Sequence, residues 1–277
     1  MEKYIEIIER SFSGYLNYLV QEISNPSWTN YFYWLLGLSL LVFLLEIIVP
    51  WRQKQPIIRK GFWLDTFYIL FNFFLFSLIG YNALSNVGVE LFNDFLGIFG
   101  IKNIVAVEVQ DFPVWMQILI MFIVADFVQW NVHRMLHRVP WMWKFHKVHH
   151  SVKEMGFAAQ FRFHFLKTIV YKSIQYIPLA MIGFGIEQFF VVHMFTVFVG
   201  HLNHANLDWS YGKFGYVLNN PRCIYGITQK HCQHPYEMNF GLTLSIWDYL
   251  FRTAYVPKIG RDIELGFEDD GNFPNTF

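Results

Sequence analysis

The feature that most constrains this chain is a series of apolar runs long enough to cross a lipid bilayer. Residues 31–49, YFYWLLGLSLLVFLLEIIV, hold a single charge, Glu46. Residues 62–80 and 114–132 form two further runs, each with one aspartate. A bilayer core of about 30 Å is crossed by about 20 apolar helical residues. The three runs therefore predict membrane-spanning helices, and buried helices of a soluble protein are the less favoured alternative.

A fourth apolar stretch, residues 168–200, is too long for one span and is interrupted by Pro178, Gly183 and Gly185. Irregular backbone at membrane depth is tolerated only where protein buries it or where it lines a cavity. We therefore predict two helices or a broken hairpin here. The fold class that follows is all-α: a polytopic membrane helical bundle with a cytoplasmic histidine-rich cap, to which the polar, turn-rich tail from residue 205 belongs.

Composition excludes several classes of partner and fold. Charged residues make up 15% of the chain, against about 25% in a typical soluble domain. Lys+Arg and Asp+Glu number 21 each, so no basic excess indicates a nucleic-acid partner. Two cysteines exclude a disulfide scaffold.

Charge and periodicity divide the chain into four segments. Apolar residues in the first 25 positions recur at spacings of three and four, which predicts an amphipathic helix rather than a cleaved signal. This helix lies on the membrane surface or packs on another helix; the sequence leaves both open. The predicted segments are an amphipathic N-terminus (1–28), N-terminal transmembrane helices with a non-cytoplasmic loop (29–113), a histidine-box domain (114–256) and a tail (257–277).

Loop charges predict the orientation of the helices. Residues 51–60, WRQKQPIIRK, carry four positive charges and no acid, which is typical of a cytoplasmic loop. Residues 83–113 carry four acids and one lysine and are predicted to be a loop on the opposite side. The third span then returns to the cytoplasm near residue 133, where five more lysines and arginines follow by residue 153.

Histidine spacing predicts a metal site. All 11 histidines lie between residues 133 and 234. The segments HRMLH, HKVHH and HLNH, which begin at residues 133, 146 and 201, each place imidazoles one helical turn apart. Neutral imidazole binds Fe, Zn, Cu and Ni. A transition-metal transporter is one alternative, but its ligands would be spread through the depth of several spans, so the clustering favours an enzyme.

These three boxes resemble those of the fatty acid hydroxylase superfamily, which includes sterol desaturases and sphingolipid hydroxylases. The resemblance extends to Asn220-Pro221-Arg222 and to NFGLTLSIWDYLF at residues 239–251. It implies a cytoplasm-facing centre of two Fe ions, with Zn as a possible substitute, and a lipid whose C–H bonds are oxidised by O2. We find no flavin, haem or nicotinamide motif, so a separate electron-donor protein is expected. The lipid, the carbon attacked, the outcome and the oligomeric state stay open.

The resemblance also implies a set of metal ligands. They are His133, His137, His146, His149, His150, His164, His201 and His204. Asp126, seven residues before His133 on the same helix face, is expected to hydrogen-bond the outer nitrogen of a ligand histidine; a partner on a neighbouring helix is the alternative. His193, inside an apolar helix, is expected to be a core or cavity residue.

The last histidine box departs from the family pattern. After Asn-Pro-Arg, the family has a hydrophobic residue followed by His-x-x-His-His. By direct alignment Ile224, Ile227 and Thr228 occupy the three histidine positions. None of them can replace an imidazole ligand, so the chain is either an oxygenase with an altered site or an inactive member of the same fold.

Three explanations of this departure stay open. His231 and His234 take over as ligands after a local shift, or they form a small zinc site with Cys223 and Cys232, although that spacing is irregular. The third is a compensated frame slip over residues 223–234. Reading those codons one base earlier permits Met-His-Ile-Trp-His-His directly after Asn-Pro-Arg, and both cysteines of the chain fall in this stretch.

Overall fold

A computed structural model describes residues 1–230, 237–257, 261–268 and 270–274. These residues are helical or irregular, and they contain no strand beyond two isolated bridges. The α-helices are α1 (Glu2–Ser24), α2 (Tyr31–Ile48), α3 (Phe62–Leu70), α4 (Asn82–Ile98), α5 (Val114–Arg138), α6 (Pro140–His150), α7 (Phe165–Ala180), α8 (Ile186–His204), α9 (Pro221–Ile227) and α10 (Ile246–Leu250). The shorter helical turns are Phe71–Leu75, Ser77–Tyr81, Phe157–Phe161, Gly212–Tyr216 and Asp270–Asn272. The predicted all-α class is confirmed.

Three helices are long and apolar enough to cross a membrane, namely Tyr31–Ile48, Phe62–Ile98 and Val114–Arg138. They match the three predicted spans in position. The second consists of α3 and α4 joined by π-helical turns, and it is kinked at Gly80, where the backbone leaves helical geometry. The predicted second span ends at this kink, and α4 follows it. The chain is therefore an integral membrane protein.

The prediction of a loop over residues 83–113 is wrong for its first half, because α4 continues to Ile98. This helix is held by α1, which runs beside it in the opposite direction. Lys3 Nζ lies 2.6 Å from a Glu90 carboxylate oxygen, and Asn86 donates to Ser11 Oγ at 2.9 Å. Packing on another helix is therefore the role that the structure gives to α1.

The long apolar stretch after residue 165 is an antiparallel helix pair, as one of the two predicted arrangements requires. α7 leads away from the histidines and α8 returns to them, both packed on α5. The turn between them is tied to the loop before α5, since the carbonyl of Met181 accepts the N–H groups of Ala106 at 2.7 Å and Val107 at 3.1 Å. Gly183 in this turn has φ +64°, a conformation in which glycine is favoured.

The loop between α2 and α3 lies against the cap of residues 140–163, 205–230 and 237–257. Trp51 N–H donates to the carbonyl of Asn206 at 2.9 Å, and Gln55 Nε2 donates to that of Met155 at 2.7 Å. The basic loop and the histidine boxes therefore occupy the same end of the bundle.

Two carboxylates, one buried and one half-buried, join the N-terminal helices to the cap. Asp65 of α3 accepts hydrogen bonds from the guanidinium groups of both Arg59 and Arg162. Glu46 of α2 accepts backbone N–H groups from the cap, including that of Asn206 at 2.7 Å. Buried charges are stable only when paired in this way, so these contacts fix the cap relative to the bundle.

Candidate metal centre

Four histidine side chains converge where α5 meets α6. The distances between successive Nε2 atoms are 3.2 Å from His133 to His137, 3.1 Å from His137 to His146 and 3.3 Å from His146 to His150. All four ligand atoms lie within 4.8 Å of one another. This group is called the histidine quartet below.

Helix geometry explains why these four meet. His133 and His137 are four residues apart on the last two turns of α5, and His146 and His150 are four apart on α6, so each pair shares one helix face. Pro140 is the first residue of α6, a position where its fixed φ suits a new helix. The chain therefore turns sharply at Val139, and the two faces come together.

Two ring nitrogens are fixed by backbone carbonyls in a way that leaves Nε2 free for a metal. The Nδ1 atom of His133 lies 2.8 Å from the carbonyl oxygen of Phe240, and the Nδ1 atom of His204 lies 2.8 Å from the carbonyl oxygen of Gly200. A neutral imidazole that donates from Nδ1 has a lone pair on Nε2, which is the usual arrangement of a metal-binding histidine.

The quartet fits a transition metal. Ligand bonds of about 2.0–2.1 Å in tetrahedral geometry separate the nitrogens by about 3.4 Å, close to the observed 3.1–3.3 Å. Burial lowers the pKa of His146 and His150 well below the ordinary 6.5, and neighbouring imidazoles and the ammonium of Lys167 lower it further. The ligands are therefore neutral, as metal binding requires.

A second pair of histidines lies beside the quartet. The Nε2 atoms of His149 and His204 are 3.3 Å apart, and the His149 and His150 ring centres are 5.4 Å apart. Three buried side chains of α9 and the residue after it line the same cavity as this pair: Ile224, Ile227 and Thr228. They are the positions where the family pattern has histidine. The described residues thus offer donors for one complete metal position and only two histidines for a second, so they fit one of the two implied ions.

Two predicted ligands lie away from the quartet. Both ring nitrogens of His201 are engaged elsewhere, with Ser39 Oγ at 3.0 Å and the Phe157 carbonyl at 3.2 Å. His164 caps the start of α7, where its Nδ1 accepts the N–H of Leu166 at 3.2 Å. Neither side chain belongs to the quartet, and their role as metal ligands stays a prediction.

Asp126 is buried in α5 but does not support a ligand histidine. Its carboxylate accepts the indole N–H of Trp247 at 2.9 Å, so it joins α5 to α10. This corresponds to the alternative of a partner on a neighbouring element, and it corrects the expected hydrogen bond to histidine.

Only some of the remaining candidate site residues lie in the part of the chain that the structure describes. His231, His234 and Cys232 lie outside them, so their predicted roles stay predictions. Cys223 is buried in α9, where burial raises the pKa of its thiol to about 11. His193 lies against the cavity, and its Nε2 is 3.1 Å from the Tyr31 hydroxyl, as expected for a cavity residue.

One supporting residue was missed by the sequence reasoning. Asp248 of α10 accepts four hydrogen bonds, from the N–H groups of Phe240 and Gly241, the indole of Trp130 and the hydroxyl of Thr253. It thereby positions the Phe240 carbonyl that faces His133. The only sequence signal is that Asp248 belongs to the WDYLF segment of the family resemblance.

A cavity of about 500 Å³ leads from the histidines into the bundle. At one end it is lined by His133, His149, His150 and His204, and it also reaches Tyr15 of α1 and Tyr31 of α2. Its size is in the range of small-molecule sites. It connects the metal centre with the part of the molecule that crosses the membrane.

Comparison with known proteins agrees with this site. Residues 118–253 match the family model for fatty acid hydroxylase. The chain is 28% identical over 157 residues to the ornithine lipid hydroxylase OlsE of Rhizobium tropici, covering 57% of this chain and 47% of that protein. It is 31% identical over 137 residues to the alkylglycerol monooxygenase of Homo sapiens, covering 48% and 29%.

A third relative is the very-long-chain aldehyde decarbonylase GL1-10 of Oryza sativa subsp. japonica, 24% identical over 143 residues, with 50% of this chain and 46% of that protein covered. The chain thus spans less than half the length of each of these curated relatives. No solved structure matches it with comparable significance.

Proposed function

Because the chain belongs to the fatty acid hydroxylase superfamily, we propose that it is a membrane oxygenase that hydroxylates or desaturates C–H bonds of a lipid. The observation that carries this proposal is the histidine quartet at one end of a membrane bundle, open to a cavity of about 500 Å³. Relatives whose names specify an ornithine lipid and an alkylglycerol support a lipid substrate.

The chemistry of the substrate explains why a metal is needed. An unactivated C–H bond offers no acid, nucleophile or leaving group, so amino-acid side chains alone cannot cleave it. Iron held by the histidines would supply the redox chemistry with O2. In hydroxylation one oxygen atom enters the C–H bond and the other leaves as water, while two electrons and two protons come from outside. In desaturation both oxygen atoms leave as water.

The chain's own residues have three tasks in this reaction. The quartet holds the ion with neutral nitrogens, and the carbonyls of Phe240 and Gly200 keep His133 and His204 in the required orientation. The cavity walls admit a lipid from the bilayer and limit access of water to the reacting carbon. The electrons come from a separate donor protein, which we expect to dock on the cytoplasmic end near the basic loop 51–60.

An inactive member of the family is the second candidate. The observation that favours it is the absence of histidine at three positions that line the cavity with His149 and His204. These positions hold Ile224, Ile227 and Thr228, none of which offers an imidazole ligand. A centre that needs two ions would be incomplete in this chain.

Lipid profiling of cells that express the chain tests the proposal. We expect a new lipid species that carries one ¹⁸O atom from ¹⁸O2, or a new double bond. It should appear with the unaltered chain or after histidine replaces Ile224, Ile227 and Thr228 of the last box. The same cells expressing His146→Ala in either background should lack the species. An unchanged lipid profile with both the unaltered and the substituted chain would contradict oxygenase function.

A further inference from the structure

Two lysines of α7, Lys167 and Lys172, line the cavity that leads to the histidines, and among the described residues neither has a carboxylate partner. Their ammonium groups rest on aromatic rings instead. Lys167 Nζ lies 4.6 Å from the ring centre of Phe163, and Lys172 Nζ lies 4.8 Å from that of Tyr81. Both lysines are half-buried, and an aromatic face compensates only part of the hydration that such a cation loses.

Elsewhere the same chain pairs its buried cations with acid. Arg59 and Arg162 both donate to Asp65. Asp126, the carboxylate that lines the cavity, accepts from Trp247 rather than from a lysine. Ionisable groups within membrane proteins typically mark a substrate path, and here the missing partner of both cations is a negative charge.

The two lysines differ in their distance from the histidines. Lys167 lies in the first turn of α7, at the end from which that helix leads away from the histidines, whereas Lys172 lies five residues further along α7, about 7.5 Å at 1.5 Å per residue. Polar side chains also line this cavity, among them Tyr81, whose ring Lys172 contacts, and Tyr31 and His193. The polar end of a ligand is therefore accommodated within about two helical turns of the metal centre.

We propose that the cavity binds a lipid through an anionic group, a carboxylate or a phosphate, held by Lys172 and Lys167. The carbon that is oxidised then lies close to this group and not at the remote end of an acyl chain. The statement about the oxidised carbon rests on the proposed oxygenase function, whereas the anion site does not.

Binding to the full-length protein in a neutral detergent tests the anion site. The probes are N-palmitoylglycine and hexadecyl phosphate, with uncharged N-palmitoylethanolamine as the comparison. We expect the anionic probes to bind about tenfold more tightly, since hydrogen bonds to charged groups are the stronger ones. Lys172→Met should remove this preference without weakening the neutral probe. Lys213→Met, which changes an exposed lysine, should leave the preference intact.

Equal binding of charged and uncharged probes by the unaltered protein would overturn the inference, as would an undiminished preference in both Lys172→Met and Lys167→Met. Displacement of N-palmitoylglycine by millimolar inorganic phosphate would overturn the inference that the ligand is a lipid, because it would show that the acyl chain of the probe adds no contact with the protein. A preserved preference without any oxygenase product would leave the anion site standing and refute the proposed function. Equal oxidation of charged and uncharged lipids would refute the anion site and leave the proposed oxygenase function standing.

Discussion

At the scale of single side chains, His146 and His164 form a matched pair for testing the metal centre. His146 is fully buried in the quartet, whereas His164 caps α7 outside it. We expect His146→Ala to lose the bound metal and His164→Ala to retain it, with a cost in stability of about 1 kcal/mol for the lost cap. Metal content per chain, measured by mass spectrometry of the purified protein, checks this. Full metal retention in His146→Ala would refute the quartet as a ligand set.

Asp248 tests whether hydrogen bonds behind a ligand matter. Asp248→Asn replaces two acceptor oxygens that serve four donors, so the Phe240 carbonyl loses its fixed position opposite His133. We expect metal affinity to fall by about 10- to 100-fold, the usual effect of losing such support. Competition with a chelator measures this. The exposed Asp262→Asn is the control, and equal affinities in the two variants would show that Asp248 is structural only.

The sequence could predict the quartet because helical spacing is a local property. Residues four apart share a face, so His133 with His137, and His146 with His150, follow from the pattern alone. The direction of a single ring is not local. His201 turns away because Ser39 and the Phe157 carbonyl bind it, and both belong to elements distant in sequence. For the same reason the pattern could not show that Asp126 pairs with Trp247.

At the scale of elements, we expect the side chains of α9 to determine how many metal ions the chain binds. It carries Ile224 and Ile227, and Thr228 follows it, facing the cavity of His149 and His204. We expect about one ion per printed chain and about two after the joint substitution Ile224→His, Ile227→His and Thr228→His. In that variant, His204→Ala should return the count to one. Two ions in the printed chain would show that other side chains complete the second position.

The codons of the α9 segment test the frame-slip hypothesis separately. If it holds, Cys223 is encoded by TGC, Tyr225 by TAT, Gly226 by GGC and Ile227 by ATC. The shifted frame then places histidine at the three positions that the structure puts in the cavity. A TAC codon for Tyr225 or an ATA codon for Ile227 excludes Trp-His-His in that frame, and resequencing of the gene decides the matter.

The ends of the helices predict which loops share a side of the membrane. Lys54 and Arg138 are exposed at the end of the bundle that carries the histidines, and exposed Lys102 follows α4. We expect Lys54→Cys and Arg138→Cys to react with an impermeant thiol reagent from the cytoplasmic side, and Lys102→Cys from the other. Reaction of the first two from opposite sides would contradict both the predicted orientation and the fold.

At the scale of the whole molecule, the buried histidines make stability depend on pH. Burial keeps the pKa of His146, His149 and His150 well below 6.5, so the folded metal-free protein takes up fewer protons than the unfolded chain. Its free energy of unfolding should fall as pH drops below about 6.5, by up to about 1.4 kcal/mol per pH unit for each such histidine. Thermal unfolding of chelator-treated protein from pH 7.5 to 5 measures this. His146→Ala should weaken the dependence, and an equally steep dependence in that variant would refute its origin.

Apolar run lengths were sufficient to predict the spans and the helix pair after residue 165, because crossing a bilayer imposes a minimum length on each helix. They could not show that α4 continues past residue 83. That helix forms because α1, some 70 residues away in sequence, offers Ser11 and Lys3 as partners.

The carboxylates of Asp65 and Glu46 bear on whether the matched domain can fold when it is separated from the N-terminal helices. The family match begins at residue 118. Within the matched half, Arg162 pairs with Asp65 of α3, and the backbone N–H of Asn206 donates to Glu46 of α2. A domain excised at the start of the match would carry a cation without its acid. The N-terminal half is thus part of the fold that holds the cap and not an exchangeable anchor. A chimera with another member of the family should fold only if it brings an acid to each of these two places.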